Sequence, residues 1–224
     1  MVVVDLRGTG ASTPKPSRAD RYGYVDLASD VGAVLDALKP RLDARPYYLL
    51  GHSLGGQMCA LHLALAASGR ASTTGNAPAG LILVAVGLPY WRTYRRRRLA
   101  LLAFSQAIVA VTAVCRVWPG WAFGGKQSRG VMLDWGYTVR RGRFRPTPGT
   151  RADLRLVSTP VLGISVAEDR LTPRGTLDLL CAQLSGAPVT RVHLDEAGLD
   201  HFSWVRRPEA VSDRVVSYLA NIRA

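Results

Sequence analysis

A serine flanked by two glycines, directly after an apolar run, is the feature that most constrains this chain. The pentapeptide GHSLG at Gly51–Gly55 follows the apolar run 47–50 and precedes an apolar helical pattern at 57–64. In a strand-turn-helix of this kind, Ser53 would lie on a strained turn with its hydroxyl in open space. We expect a side chain at either Gly51 or Gly55 to clash there. The following helix would aim its N-terminal amides at the serine, where they favour a developing negative charge.

The same letters also fit a serine that caps a helix between two glycines, so a second test is needed. The test is whether an acid and a histidine follow, each at the end of a strand. Asp169 follows the apolar strand pattern 161–166, and His201 follows a last strand pattern at 190–194. The order Ser53, Asp169, His201 therefore predicts a nucleophile, an acid and a base.

Four motifs together resemble the α/β-hydrolase family, in particular its bacterial esterase-like and serine-aminopeptidase-like branches. The segment DLRGTGAS at 5–12 resembles a loop that follows the fourth strand of the family, and 51–56 resembles its nucleophile elbow. Asp169 with Pro173 resembles the acid loop, and 200–202 resembles the histidine loop. The resemblance covers residues 1–90 and 158–224 and implies fold and serine-hydrolase chemistry, but it carries almost no information on the substrate.

The resemblance implies a role for each site residue. Ser53 would be the nucleophile, and His201 would take its proton and later give it to the leaving group. Asp169 would hold the imidazole in one tautomer and stabilise the imidazolium. The backbone N–H of Leu54 would donate to the oxyanion.

Other acids near His201 are weaker candidates. Glu168 is the alternative to Asp169, although the spacing to Pro173 favours Asp169. Asp195 and Asp200 are too close in sequence to the histidine to reach the far side of its ring easily.

The remaining histidines have structural interpretations. His52 lies inside the elbow turn, where we expect it to pack or bond locally. His62 is expected on the face or in the core of the elbow helix. His193 lies within a strand pattern and is expected to point away from the elbow.

The N-terminus departs from the pattern of the family. There, three strands precede the one equivalent to residues 1–5, and the third carries the loop with the second oxyanion donor. We expect these strands and this loop to be missing here. The chain would then be a fragment or have a misassigned start, be a degenerate gene product, or pair 1–5 directly with 46–51. Losing one oxyanion donor typically lowers the rate by about 10²–10³-fold.

The order of elements predicts an α/β fold in which helices cover both faces of a parallel sheet. Strands are predicted near 1–5, 46–51, 80–86, 159–166 and 188–194. Helices are predicted near 24–38, 54–68, 174–185 and 207–222. The core would comprise 1–90 and 158–224, and 91–157 would be an inserted helical cap.

The positive charge is concentrated in that insert. The chain carries a formal net charge of +13, and residues 88–158 hold fourteen basic and two acidic residues, a net of +12. Four arginines at 95–98 precede an apolar stretch at 99–118, and four of the five tryptophans lie in the insert. The simplest interpretation is a helical cap with a solvated arginine-rich rim. The cap could in addition make peripheral contact with an anionic membrane. A transmembrane span and nucleic-acid binding are less favoured.

Cysteine usage indicates a reducing compartment. Cys59, Cys115 and Cys181 are odd in number and far apart, with no C-x-x-C motif, so we expect free thiols, no metal and no cofactor. The N-terminus given has no signal-peptide pattern. The expected location is cytoplasmic, with membrane association as an addition.

The sequence therefore predicts a serine hydrolase that cleaves an ester, thioester or small amide through an acyl-enzyme on Ser53. The substrate would be a small molecule with a hydrophobic acyl group, without nucleic acid as a partner. Acyl transfer or thioesterase action on carrier-bound acyl groups is one alternative. A silent fold used for binding, or a catalytically impaired fragment, is the other.

Overall fold

Four of the five predicted strands form one parallel sheet. The structure, a computed structural model, describes residues 1–42, 45–70, 77–121, 123–146 and 152–223. The strands are β1 (Tyr48–His52), β2 (Gly80–Val84), β3 (Val117–Trp118), β4 (Gln127–Ser128), β5 (Val161–Val166) and β6 (Val189–Leu194). The sheet has the order β1-β2-β5-β6, and β3 and β4 form a separate antiparallel pair. The predictions at 46–51, 80–86, 159–166 and 188–194 are confirmed to within a few residues.

Helices cover both faces of this sheet, as predicted. The α-helices are α1 (Tyr24–Leu42), α2 (Leu54–Ala67), α3 (Arg98–Cys115), α4 (Arg129–Arg141), α5 (Arg174–Gln183) and α6 (Glu209–Arg223). Leu81 and Leu83 of β2 pack in a cluster with α2 and α5, whereas Ile82 and Val84 pack in a cluster with Val211 of α6. Because successive strand residues point to opposite faces, β2 is buried on both sides.

The predicted strand at 1–5 is wrong. Residues 1–6 form no strand, and Met1 to Val4 are all exposed. The segment is instead followed by a loop that is held through Arg7, which pairs with Asp30 of α1. A β-branched run becomes a strand only where it pairs with a neighbour. Residues 1–5 pair with no strand in the described part of the chain, so the direct pairing with 46–51 is also wrong.

The insert is helical and shares a core with α1 and α2. It contains short 3₁₀ turns at Trp91–Arg97 and Leu154–Leu156, with α3, the β3-β4 pair and α4 between them. Ile108, Trp118, Val131 and Met132 join Leu65 of α2 in one hydrophobic cluster. Residues 122 and 147–151 of the predicted insert lie outside the described residues. The predicted boundaries at 91 and 157 stay a prediction.

Candidate active site

The turn between β1 and α2 holds Ser53 in an unusual backbone conformation. Its φ is 50° and its ψ is −124°, in the positive-φ region that residues with side chains rarely adopt. Such strain persists only where the surrounding structure enforces it. Here β1 fixes the chain on one side, and the first turn of α2 fixes it on the other, with Gly56 N–H and Gln57 N–H both donating to Ser53 O.

The close approach at this turn requires a different pair of glycines from the pair expected. A Cβ on Gly51 would lie 2.3 Å from the Cα of Gly56, and a Cβ on Gly56 would lie 2.4 Å from Cγ2 of Val86. A Cβ on Gly55 meets nothing within 4 Å. The expectation of a clash at Gly55 is therefore wrong, because that position faces open space while Gly56 packs against the sheet.

The three side chains singled out by the sequence lie in one hydrogen-bonded series. Ser53 Oγ is 2.9 Å from His201 Nε2, and His201 Nδ1 is 2.8 Å from Asp169 Oδ2. A proton on Nδ1 that is donated to the carboxylate leaves Nε2 free to accept the serine hydroxyl. Asp169 and His201 are buried, while Ser53 is partly exposed. The arrangement can therefore move a proton from an accessible hydroxyl to a shielded base.

Thr172 completes the surroundings of Asp169. Asp169 Oδ1 accepts the backbone N–H groups of Leu171 at 2.8 Å and Thr172 at 2.7 Å, and Oδ2 accepts the Thr172 hydroxyl at 2.6 Å. Burial alone would raise the pKa of Asp169, but the hydrogen bonds and charge of His201 and the bonds from Thr172 hold it below its ordinary value. The carboxylate therefore stays ionised beside the imidazole.

The alternative acids are used elsewhere. Glu168 is exposed, and its Oε1 accepts the backbone N–H of Gly198 at 2.7 Å. Asp200 accepts the backbone N–H groups of Phe202 and Ser203, and these bonds lower its pKa. Asp195 lies 3.3 Å from His193 rather than beside His201. Among these acids, Asp169 is the one that reaches the ring of His201.

His52 contacts the histidine loop directly, which sequence reasoning missed. Its Nε2–H donates to the backbone carbonyl of His201 at 2.8 Å, and the two ring centroids are 4.8 Å apart. Burial, and then the like charge of His201, lower the pKa of His52. His52 therefore stays neutral more readily than a free histidine. The spacing within the elbow carries no signal for this contact, because the partner is 149 residues away.

The other two histidines have structural roles. His62 is buried in α2 beside Gly32 of α1, where a Cβ would lie 2.9 Å from its ring. Nδ1 of His193 is 2.8 Å from Ser165 Oγ in the neighbouring strand. Neither residue is among the partners of Ser53 or Asp169 in the described structure.

Leu54 is the first residue of α2, which determines what its backbone can do. The first N–H groups of an α-helix have no intrahelical acceptor. Helix α2 begins at Leu54, immediately beside Ser53. The Leu54 N–H therefore has no acceptor within the helix and lies at the positive end of the helix dipole. A negative oxygen that forms near Ser53 Oγ would be stabilised there.

The larger of the two cavities described is separate from this series. It has a volume of about 410 Å³ and lies between the start of α1 and α4, where Arg21, Asp26, Arg129 and Asp134 are among its lining residues. Ser53 and His201 do not line it. The residues within the described ranges also include no group of three or more histidines, cysteines and acids that could hold a metal ion.

A sequence model described as the Alpha/beta hydrolase family matches residues 1–214. The chain belongs to the alpha/beta hydrolase family. This membership confirms the expected superfamily and fold class. Membership of this family supports a hydrolase.

Solved structures show the same fold at low sequence identity. A hydrolase from Pseudomonas aeruginosa PA01 is 24% identical, with a TM-score of 0.52 over 96% of this chain and 77% of that one. An alpha/beta fold family hydrolase from Bacillus anthracis str. Sterne is 14% identical, with a TM-score of 0.54 over 95% and 80%. A bacterial membrane phospholipase A is 17% identical, with a TM-score of 0.56 over 98% and 69%. No curated protein matches the chain.

Proposed function

We propose that this family member is a serine hydrolase that cleaves an ester, thioester or small amide through an acyl-enzyme on Ser53. The observation that carries the proposal is the series Ser53 Oγ, His201 and Asp169, with spacings of 2.9 and 2.8 Å. The positive φ of Ser53 supports it, because this strain aims a hydroxyl away from the backbone at the start of a helix.

In the first half of the reaction, Ser53 Oγ attacks the carbonyl carbon of the substrate. His201 Nε2 takes the hydroxyl proton as the bond forms, and Asp169 stabilises the resulting imidazolium. The carbonyl π electrons move to the oxygen, which accepts the Leu54 N–H. Collapse of this tetrahedral intermediate breaks the bond to the leaving group, which receives the proton from His201.

In the second half, water releases the acyl group. His201 Nε2 accepts a proton from the water as its oxygen attacks the acyl carbon on Ser53. The second tetrahedral intermediate collapses, and the proton returns to Ser53 Oγ as the carboxylic acid departs. In each half, His201 first accepts a proton and then donates it. Each half therefore starts from a neutral imidazole, which the contact with Asp169 orients.

The substrate class is inferred from the insert. Its apolar stretch at 99–118 suits a small molecule with a hydrophobic acyl group, and its arginine-rich rim suits an anionic substituent on it. No cofactor takes part in the proposed steps. A series of oxygen esters, thioesters and amides with one shared acyl group would rank the leaving groups by kcat/KM and would separate esterase from thioesterase action.

The direct test combines labelling and turnover. A fluorophosphonate probe should label the wild-type protein, and a 4-nitrophenyl ester should be hydrolysed. Ser53→Ala should abolish labelling and lower kcat by about 10⁶-fold, and His201→Ala should have an effect of similar size.

Ser217→Ala is the matched control, because Ser217 is an exposed serine on α6. It should label and turn over like wild type. Labelling that persists in Ser53→Ala, or wild-type hydrolysis no faster than buffer, would contradict the proposal. Circular dichroism of each variant establishes that the fold is retained.

A further inference from the structure

Helix α3 exposes a row of apolar residues, while most of its few buried residues are polar. The three buried residues of α3 are Ser105, Ile108 and Thr112, two of which carry hydroxyl groups. Its exposed apolar residues are Leu99, Ala100, Ala103, Phe104, Ala107, Ala110, Ala113 and Val114. Val114 is 83% exposed and Leu99 is 62% exposed. A helix at the surface of a globular protein normally has the opposite arrangement.

The exposed face of α3 is long enough to contact an extended partner. The helix has 18 residues and is about 27 Å long. One helix in the described ranges, Trp91–Cys115, has the length and apolarity to cross a membrane, with a mean hydropathy of 1.8 and 17% of its most apolar window buried. A large exposed apolar surface of this kind indicates a contact with another molecule or with a membrane.

Both ends of α3 carry exposed positive charge, in a stretch of the sequence that contains no acid. Arg95 to Arg98 lie at its N-terminal end, and Arg116 follows its C-terminal end, all of them exposed. No aspartate or glutamate occurs between Asp43 and Asp134. Trp121, which follows the helix, is 65% exposed, and tryptophan favours the boundary between lipid and water.

We propose that this α3 surface, comprising the exposed face of α3, Arg95 to Arg98, Arg116 and Trp121, binds the surface of an anionic lipid bilayer. The apolar side chains would enter the acyl boundary, and the arginines would pair with lipid phosphates. Charge complementarity selects this partner over a second copy of the chain. Two α3 surfaces packed together would bring arginine clusters next to each other with no carboxylate between them.

The inner face of α3 indicates that the helix lies on the membrane rather than crosses it. Gln106 Nε2 donates to Gly136 O of α4 at 3.3 Å, and a Cβ on Gly136 would lie 2.2 Å from Cγ2 of Val109. The two helices are therefore in close contact. A transmembrane position would require α4, which ends in Arg140 and Arg141, to detach from α3.

The α3 surface is also connected to the acid loop of the candidate active site. The Tyr94 hydroxyl, one residue before Arg95, donates to the backbone carbonyl of Leu171 at 2.5 Å. The N–H of Leu171 in turn donates to Asp169. A protein bound through α3 would thus hold its candidate active site next to the lipid surface.

Vesicle co-sedimentation of the full chain tests the proposal. Wild type should bind phosphatidylcholine vesicles with about one-third phosphatidylglycerol and not phosphatidylcholine alone, at about 0.1 M salt, where the Debye length is about 10 Å. Val114→Asp should weaken binding at least tenfold, since it adds a charge to the apolar face. Arg96→Gln with Arg97→Gln should weaken binding by about 25-fold, or about fivefold for each arginine.

Matched controls lie on α6, which packs on the other face of the sheet, and in the turn that precedes it. Val216→Asp changes a valine that is 65% exposed, and Arg206→Gln with Arg214→Gln removes two exposed arginines. Both controls should bind like wild type. Equal loss in Val114→Asp and Val216→Asp, or equal binding of wild type to both vesicle types, would overturn the proposal.

Two further outcomes would assign the surface to a different contact and overturn the proposal. Sedimentation velocity without lipid would reveal a dimer that Val114→Asp dissociates, if the partner were a second copy. Resistance of the bound protein to alkaline carbonate would indicate a transmembrane helix. Ser53→Ala protein should bind vesicles like wild type, so failure of the proposed hydrolase activity and failure of membrane binding are distinguishable.

Discussion

Helices α2 and α3 are both predominantly apolar, yet the fold uses them in opposite ways. Residues 56–65 of α2 are all buried, and Nε2 of its polar Gln57 donates to the carbonyl of Gly87 at 2.8 Å, although Gln57 Oε1 has no hydrogen-bond partner in the described part of the chain. In α3 only three residues are buried, and Thr112 Oγ1 has no hydrogen-bond partner among the described residues. Helix α2 lies against the sheet with α1 and the insert around it, whereas α3 lies outside that layer.

This difference shows that position relative to the sheet, and not composition, determines the use of an apolar helix. The side chains of α2 fill the core and fix the turn at Ser53, so we expect most changes there to affect folding or chemistry. The outer side chains of α3 contact little of the protein, so we expect changes there to affect neither. One prediction concerns the candidate triad beside α2, and three test this contrast.

The largest effect is expected at the buried end of the candidate triad. Asp169→Asn should lower kcat by about 10⁴-fold, because the amide no longer favours the required imidazole tautomer. Glu168→Gln, which keeps an acceptor for the N–H of Gly198, should stay within a few-fold of wild type. Steady-state kinetics on one soluble ester measure both. A dead Glu168→Gln beside an active Asp169→Asn would reverse the acid assignment.

Truncation of one leucine or valine should distinguish the two helices in stability. Leu65→Ala in α2 should lower the free energy of unfolding by about 2–5 kcal/mol, because it leaves a cavity in the core. Val114→Ala in α3 should change it by no more than about 0.5 kcal/mol, since the side chain is exposed. Urea denaturation measures both. Equal losses would mean that the outer face of α3 is covered by other parts of the protein.

The glycines at the start of α2 should respond unequally. Gly56→Ala should destabilise the protein by about 1–3 kcal/mol, because its Cβ overlaps Val86 and the carbonyl of Gly51. Gly55→Ala should be neutral or slightly stabilising, since a helix favours alanine and the position is open. Thermal denaturation of the pair measures the difference, and a strongly destabilised Gly55→Ala would show that the first turn is more crowded than described.

The smallest effect is a gain in stability on the inner face of α3. Thr112→Val replaces a buried hydroxyl that lacks a partner with a methyl group of similar size. The free energy of unfolding should rise by about 1 kcal/mol, because the desolvation penalty of the hydroxyl disappears. Ser105→Ala, which removes a hydroxyl bonded to Leu102 O at 2.8 Å, should give no such gain. Urea denaturation tests both, and a loss in Thr112→Val would indicate a bound water at the hydroxyl.

Local patterns were sufficient to predict most of the fold and to select the three residues of the candidate site. The apolar runs at 80–86 and 159–166 are long enough, and clearly enough bounded, to predict their strands. Ser53, Asp169 and His201 could be found because each follows a strand, and parallel strands bring their carboxyl ends to one edge of a sheet. The structure brings these three side chains within hydrogen-bond distance.

What the sequence could not predict depends on long-range neighbours. Residues 1–5 have a strand composition, but a strand also needs a partner, and pairing cannot be read from one segment. The contact of His52 with the carbonyl of His201, and the crowding at Gly56, likewise depend on elements distant in the chain. The contact of Thr172 with Asp169, in contrast, could have been predicted from the sequence. A threonine three residues after an aspartate often donates to its carboxylate in a turn.

The position of β1 at the end of the described sheet has a consequence for solubility. Natural sheets protect their edges with charged side chains, prolines or bulges. The five residues of β1 carry no lysine, arginine or acid, and Leu50 at its centre is 53% exposed. In the described chain β1 pairs with β2 alone. At high concentration, aggregation should therefore start at this strand edge. The strong positive charge of the insert keeps molecules apart in dilute solution and should delay this aggregation.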